Sequence, residues 1–117
     1  MVNYYLGFSV SISENGMTFI VGVPRSDIVQ SVAVDRGHVQ IYTYNTTVHD
    51  YMLVCTLNGT TALDQFGYSV SMSADGTTVV VGATGQASTI PGYVKIYQYN
   101  STVHIMVRQP VITLVGP

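Results

Sequence analysis

The chain has 117 residues, of which 47% are hydrophobic and 9% are charged, with a net charge of −2. This length suits one ordinary domain, and the apolar composition is unusual for a soluble monomer of this size. Four scattered basic residues and the lack of a long apolar run indicate no nucleic-acid partner and no transmembrane segment.

The first predicted elements are two strands joined by a hairpin. Val10 and Ile12 alternate with serines, which is the period of a strand with one buried face. Asn15-Gly16 follows, a dipeptide that favours a hairpin turn because it accepts positive φ. The run Phe19-Ile20-Val21 then predicts a second strand that is buried on both faces.

Two further strands follow in the first half. Alternation over residues 39–44 predicts the third strand, and Asn45 opens a turn after it. Residues 51–55 predict a fourth, weaker strand. No stretch of the chain has helical periodicity, so we expect an all-β fold.

The second half repeats the first. Residues 7–16 return as 67–76, which places Asp75-Gly76 at the position of Asn15-Gly16, and residues 37–49 return as 92–104. The copy is five residues shorter within the loop between these blocks, where length changes are best tolerated. Residues 105–107 complete a second set of four strands. The repeat predicts two antiparallel four-stranded sheets, with one unit at 1–60 and the other at 61–117.

The repeated motifs resemble a known family. Leu6-Gly7 and Phe66-Gly67, followed by Gly22-Val23-Pro24 and Gly82-Ala83-Thr84, are similar to the FG-GAP repeat. In that family each repeat is one blade of a β-propeller, found in integrin α-subunits and in secreted or surface proteins. The resemblance implies an extracellular or cell-surface chain. Propellers have about four to eight blades, so two blades form an incomplete propeller that further repeats or other subunits must complete.

The resemblance also raises the possibility of calcium, because the integrin-type repeat often binds an ion between its first two strands. Calcium requires six to eight oxygen ligands. The turns 13–17 and 73–77 each contain one carboxylate, and a longer loop adds Asp27 and Asp35. We therefore expect plain hairpin turns, no metal site and no cofactor other than N-linked glycans.

The remaining reactive side chains do not form a recognisable active site. His49 and His104 occupy the same position in the two repeats, and His38 stands apart from them. No paired carboxylates and no Ser-His-Asp order are present, so we expect no catalytic residue and no enzyme activity. Cys55 is alone and is expected to be a small buried hydrophobe, with an intermolecular disulfide as the alternative.

Three asparagines fit the N-x-Ser/Thr acceptor of N-glycosylation: Asn45, Asn58 and Asn100. Asn45 and Asn100 occupy the same turn of the two repeats. The alternative is that Asn-Thr pairs simply form good hairpin corners in a threonine-rich chain. Glycosylation would imply passage through a secretory pathway.

Two functions are open. The apolar composition and low repeat number favour a structural protein that associates with itself or with further repeats, and the match of Pro117 to Thr60 and of Met1 to Thr61 predicts head-to-tail growth into a ring or filament. The alternative is an adhesive or carbohydrate-binding module that holds a glycan or a surface protein on the loops 25–36 and 85–91. Four tyrosines could stack on sugars, or pack across strands instead. They are Tyr42, Tyr44, Tyr97 and Tyr99.

Overall fold

The chain folds into two four-stranded sheets. The computed structural model describes residues 5–25, 36–61, 63–85 and 91–100, and the backbone of 105–115. Sheet 1 contains β1 to β4 in that order, and sheet 2 contains β5 to β8. The strands are β1 (Ser9–Ile12), β2 (Thr18–Val23), β3 (His38–Asn45), β4 (Asp50–Asn58), β5 (Phe66–Met72), β6 (Thr78–Ala83), β7 (Tyr93–Asn100) and β8 (Ile105–Val115). The predicted all-β fold class is confirmed, and the described ranges contain no helix that could cross a membrane.

The two sheets are antiparallel meanders that share one register. In sheet 1, Gly22 pairs with Ser9 on one side and with Val39 on the other. Sheet 2 pairs the repeat-equivalent residues in the same way, Gly82 with Ser69 and with Val94. Because register determines which face each side chain takes, equivalent residues lie on equivalent faces of the two sheets.

The fourth strand of each sheet is longer than predicted. Strand β4 covers Asp50–Asn58 and β8 covers Ile105–Val115. The register between β3 and β4 shifts between Ile41 and Tyr42. An extra residue at such a bulge interrupts the alternation of side chains without ending the strand, so the sequence pattern stops before the strand does.

Burial of the central strands differs between the sheets. In β2, Ile20 and Val21 are buried as predicted, whereas Phe19 is only half-buried. Gly22 and Val23 are buried as well. In β6 the burial alternates, and Val80 is only half-buried because one face of sheet 2 has no covering layer among the described residues. Cys55 is half-buried rather than buried, because it lies on the edge strand β4 and touches the core from its margin.

Candidate interaction surfaces

The sheets pack against each other through one face each, and we call this contact the junction. Sheet 1 contributes Ile20, Val39 and Ile41, each at most 2% exposed. Sheet 2 contributes Phe66, Val79, Val81, Ala83 and Tyr97. Since side chains alternate along a strand, each sheet also has an outer face that points away from the junction.

Serines of β1 connect the sheets by hydrogen bonds. The Ser9 hydroxyl donates to the Gly67 carbonyl at 2.8 Å, and the Met72 N–H donates to the Ser11 hydroxyl oxygen at 3.1 Å. Gly22 lies so close to the Gly67 carbonyl that a Cβ atom at residue 22 would collide with it. The junction therefore depends on the hydroxyl groups of Ser9 and Ser11 and on a glycine at residue 22.

Backbone groups outside the regular ladders also join the sheets. The Phe66 N–H donates to the Arg36 carbonyl at 2.9 Å, next to a parallel bridge between Gly37 and Phe66. At the hairpin end, the Glu14 N–H donates to the Ala74 carbonyl at 2.8 Å. These bonds fix the first strand of sheet 2 on sheet 1 at both of its ends.

A buried polar pair lies beside Phe66. Asp64 is 3% exposed, and its Oδ2 atom accepts hydrogen bonds from the Tyr93 hydroxyl at 2.7 Å and the Thr61 N–H at 3.1 Å. Burial, followed by the contact with Asp64, raises the pKa of Tyr93, so its hydroxyl keeps its proton at neutral pH. This pair has no signal in the sequence, because the repeat places Tyr4 and His38 at the equivalent positions.

The outer face of sheet 1 exposes apolar side chains beside and along β1. Leu6 is 65% exposed, Val10 is 64% exposed and Ile12 is 57% exposed. The residues at the same repeat positions of sheet 2 are Phe66, Val70 and Met72. All three belong to the packed junction, where Phe66 is 0% exposed. Part of the sheet 1 outer face is thus equivalent to a surface that sheet 2 buries.

Aromatic rings cluster on this same outer face. Phe19 stacks on Tyr42 at 5.0 Å between ring centroids and meets Tyr51 edge-on at 5.1 Å. Tyr44 contacts Tyr51 at 5.2 Å, and the Tyr51 hydroxyl donates to the Gly16 carbonyl at 2.7 Å. The cluster holds β4 against the first hairpin and leaves Tyr51 38% exposed.

The tyrosines of sheet 2 do not form a matching exposed ladder. Tyr97, the equivalent of Tyr42, is 8% exposed and lies edge-on to Phe66 at 6.2 Å in the junction. Tyr99, the equivalent of Tyr44, is 40% exposed. The four predicted tyrosines are therefore divided between a buried contact and an open surface.

The outer face of sheet 2 is equivalent to the junction face of sheet 1. Its members are Ser69, Ser71, Val80, Gly82, Val94 and Ile96, which are half-buried or exposed. Their counterparts in sheet 1 are the residues that contact sheet 2, including the fully buried Ile20 and Val39. The three atoms nearest to a Cβ atom at Gly82 would all belong to Ser69.

The three acceptor asparagines are exposed at strand ends. The Oδ1 atom of Asn45 accepts hydrogen bonds from the N–H groups of Thr47 at 2.8 Å and Val48 at 3.2 Å, so the side chain forms the turn after β3. Asn58 ends β4 and Asn100 ends β7, and both are exposed. Residues 101–104, which complete the third acceptor sequence, lie outside the described residues.

In each predicted hairpin the glycine adopts a positive φ, and the residue before it forms side-chain hydrogen bonds. Gly16 and Gly76 adopt φ of 73° and 76°. Asn15 instead accepts hydrogen bonds through Oδ1, from the Ser13 hydroxyl and the Met17 N–H, both at 2.9 Å.

Asp75 occupies the same position in sheet 2. Its Oδ1 atom accepts from the Thr77 N–H at 3.0 Å and from the Ser73 hydroxyl at 2.7 Å. These hydrogen bonds lower the pKa of Asp75 to about 2. Its carboxylate is engaged within the turn.

The two described histidines, His38 and His49, lie at opposite ends of β3. His38 begins β3, where desolvation by burial lowers its pKa, and His49 lies in the turn after that strand with φ of 59°. His104, Asp27 and Asp35 lie outside the described residues, as do most of the two variable loops. Within the described ranges, no three His, Cys, Asp or Glu residues are grouped so that they could hold a metal ion.

Residues 56–94 match the family model of the FG-GAP repeat. The chain carries an FG-GAP repeat. The matched stretch starts in β4, includes Phe66-Gly67 and ends in β7. A search of curated proteins gave no match.

The FG-GAP match covers residues on both sides of position 60, where the sequence predicts the boundary between two units. The strand pairing groups residues 9–58 in sheet 1 and residues 66–115 in sheet 2. Each sheet has the four antiparallel strands of a propeller blade, and the two together form an open, incomplete propeller.

Proposed function

We propose that this protein is an extracellular structural module of the β-propeller type, whose sheets associate head-to-tail with further sheets of the same kind into a ring or filament. The observation that carries the proposal is the equivalence of faces. Each outer face has the repeat positions of the face that the other sheet uses in the junction. Such a contact is heterologous, so repeating it builds a ring when the rotation closes and a filament when it does not.

Exposed apolar area supports this function. Full burial of a Leu, Val or Ile side chain contributes roughly 1.5–3 kcal/mol. Leu6, Val10 and Ile12 are all more than half exposed. Association costs an estimated 4–15 kcal/mol in lost freedom of motion, so several such side chains must be covered together. The aromatic cluster adjoins these three and enlarges the apolar surface.

The extracellular, N-glycosylated state is part of the proposal. Asn45 and Asn100 end the third strand of each sheet, and both are exposed. Glycans at these hairpin ends would extend past the strands rather than over the sheet faces. Expression in a eukaryotic secretory host followed by glycosidase treatment tests this, because each occupied site adds one step of gel mobility that Asn45→Gln or Asn100→Gln removes.

We assign the module no catalytic role and no calcium requirement. The Asp75 carboxylate already accepts hydrogen bonds from Ser73 and Thr77, which supports a structural turn. Calorimetry with calcium chloride should show no binding heat and no shift of the melting temperature. A saturable calcium signal would contradict this part of the proposal.

The second candidate is an adhesive or carbohydrate-binding module, and the exposed ring of Tyr51 beside Phe19 and Tyr44 favours it. Aromatic faces bind the apolar faces of sugars, yet the sheet 2 equivalent of Tyr42 is Tyr97, which is used for packing. A glycan array separates the two candidates. Hits that Tyr51→Ala abolishes would favour carbohydrate binding.

Electron microscopy of negatively stained protein tests the structural function. We expect rings or filaments with a regular repeat, and we expect Ile12→Lys to disperse them because a charge at a 57% exposed site harms only the contact. Val48→Lys is the matched control, since Val48 is 54% exposed in a turn away from the sheet faces. Isolated small particles for the unmodified chain would contradict the proposal.

A further inference from the structure

We propose that the partner of the two outer faces is a second copy of this chain, docked in the register that joins the two sheets within one copy. The sheet 2 outer face of one copy would meet the sheet 1 outer face of the next. This inference rests on the proposed function and names its partner and contacts. It follows from side chains and backbone groups that are in place for such a contact and that lie outside the junction as the described residues form it.

The hydrogen-bonding residues of the junction recur on the outer faces. Ser69 and Ser71 stand sixty residues after Ser9 and Ser11, which bond to sheet 2. Both serines are exposed on the sheet 2 outer face. By equivalence, the Ser69 hydroxyl donates to the Gly7 carbonyl of the next copy. The Ser71 hydroxyl oxygen accepts from the Ile12 N–H of that same next copy.

Glycines mark the same contact. Gly22 has no room for a Cβ atom because the Gly67 carbonyl lies against it. The equivalent pair across two copies is Gly82 and Gly7. Within one copy, Gly7 has open space around its Cβ position. The three atoms nearest to the Cβ position of Gly82 belong to Ser69 of the same sheet, so no backbone of another sheet stands against Gly82 as Gly67 stands against Gly22 in the described part of the chain.

Backbone donors are also available for the new contact. The junction uses the N–H groups of Phe66, Met72 and Glu14. Their counterparts across two copies are the N–H groups of Leu6 and Ile12 on one copy and of Ala74 on the other. None of these residues is proline, so every donor that the register requires is present.

Apolar positions and charge agree with the same docking. Val80, Val94 and Ile96 on the sheet 2 outer face are half-buried, whereas their sheet 1 counterparts are at most 2% exposed in the junction. Leu6 takes the place of Phe66 on the facing surface, so an aliphatic side chain meets an aliphatic surface. Gln40 replaces Lys95, which removes a cation from the contact.

Disulfide trapping tests the register, with Cys55→Ala as background so that no native thiol remains. One chain carries Ser71→Cys and another carries Ile12→Cys. We expect the oxidised mixture to give a covalent dimer on a non-reducing gel, while each chain alone stays monomeric on that gel. The internal control is one chain with Ser11→Cys and Met72→Cys, which closes within a copy because these residues already meet across the junction.

The outcomes distinguish a wrong docking register from a wrong proposed function. If the control closes and light scattering shows oligomers, but the mixture gives no covalent dimer, the register is overturned and the proposed function stands. If both chains are monomeric by light scattering at every concentration, the proposed function fails together with the inference. A covalent dimer in the mixture alone supports both.

Discussion

The Ser9 hydroxyl donates a 2.8 Å hydrogen bond to the carbonyl oxygen of Gly67, a residue 58 positions further along the chain. This bond joins the first strand of one sheet to the first strand of the other. Its repeat equivalent would join Ser69, on the outer face of sheet 2, to Gly7, at the outer face of sheet 1. In the proposed docking, a neighbouring copy completes this second bond.

Phe66 and Leu6 occupy the same repeat position with opposite burial, 0% and 65% exposed. Phe66→Ala should lower the free energy of unfolding by about 3–5 kcal/mol, because it empties a packed site. Leu6→Ala should change the free energy of unfolding by less than about 0.5 kcal/mol, as expected of a surface site, and weaken oligomers. Urea unfolding in the monomeric Ile12→Lys background measures the first effect, and light scattering in the native background measures the second. Equal destabilisation by both substitutions would show that Leu6 is already packed.

Gly22 and Gly82 give a second matched pair. Gly22→Ala brings a Cβ atom against the Gly67 carbonyl and should destabilise the fold by about 1–3 kcal/mol, the usual range for overpacking. The Cβ atom of Gly82→Ala comes closest to the hydroxyl of the exposed Ser69, whose side chain can rotate, so thermal unfolding of that variant should be nearly unchanged. Its oligomers should nevertheless dissociate. Oligomers of normal mass in Gly82→Ala would argue against the proposed docking.

The Tyr93 hydroxyl supports the buried Asp64 carboxylate. Tyr93→Phe removes this donor and leaves a buried carboxylate with one partner fewer, which should cost about 1–3 kcal/mol of stability. Tyr68→Phe is the control, because Tyr68 is 42% exposed and should lose less than about 0.5 kcal/mol. Urea midpoints of the two variants decide the matter. If the two midpoints coincide, the Asp64–Tyr93 bond does not stabilise the fold.

The stability of the hairpin that contains Asp75 should depend on pH in the acidic range. The hydrogen bonds of the turn lower the folded pKa of Asp75 to about 2, below the ordinary value of an aspartate, so its stabilising effect is present above about pH 4 and is lost as the pH falls through 2. Asn15 makes comparable bonds with a neutral amide in the other sheet. Asp75→Asn should therefore melt like the parent at pH 6 and show a smaller drop in melting temperature between pH 5 and pH 2. Parallel pH profiles for the two proteins would contradict this.

The repeated parts of the fold could be predicted from the sequence, and the unrepeated parts could not. Alternation around Val10 and Ile12 identified the first strand, and the second copy confirmed the order of elements. The bulge after Ile41 escaped detection because one inserted residue breaks the period without breaking the strand. Asp64 and Tyr93 escaped because they form a single contact between segments far apart in sequence.

The sequence predicts that the sheets need further neighbours, but it does not predict which face of each sheet is left uncovered. The low repeat number indicated missing neighbours, yet alternation alone does not say which face of a strand is covered. The exposed fractions of Leu6 and Phe66 settle that question for the described residues, since equivalent side chains have different surroundings. The acceptor asparagines were visible as motifs, and their occupancy stays a prediction.

Sedimentation equilibrium of the purified chain, over a concentration series that spans the micromolar range, tests the central claim most directly. We expect a mass that rises with concentration through multiples of 12.7 kDa, and a shift back toward the single-chain mass for Ile12→Lys. A single species of 12.7 kDa at every concentration, with one cooperative unfolding transition, would contradict it.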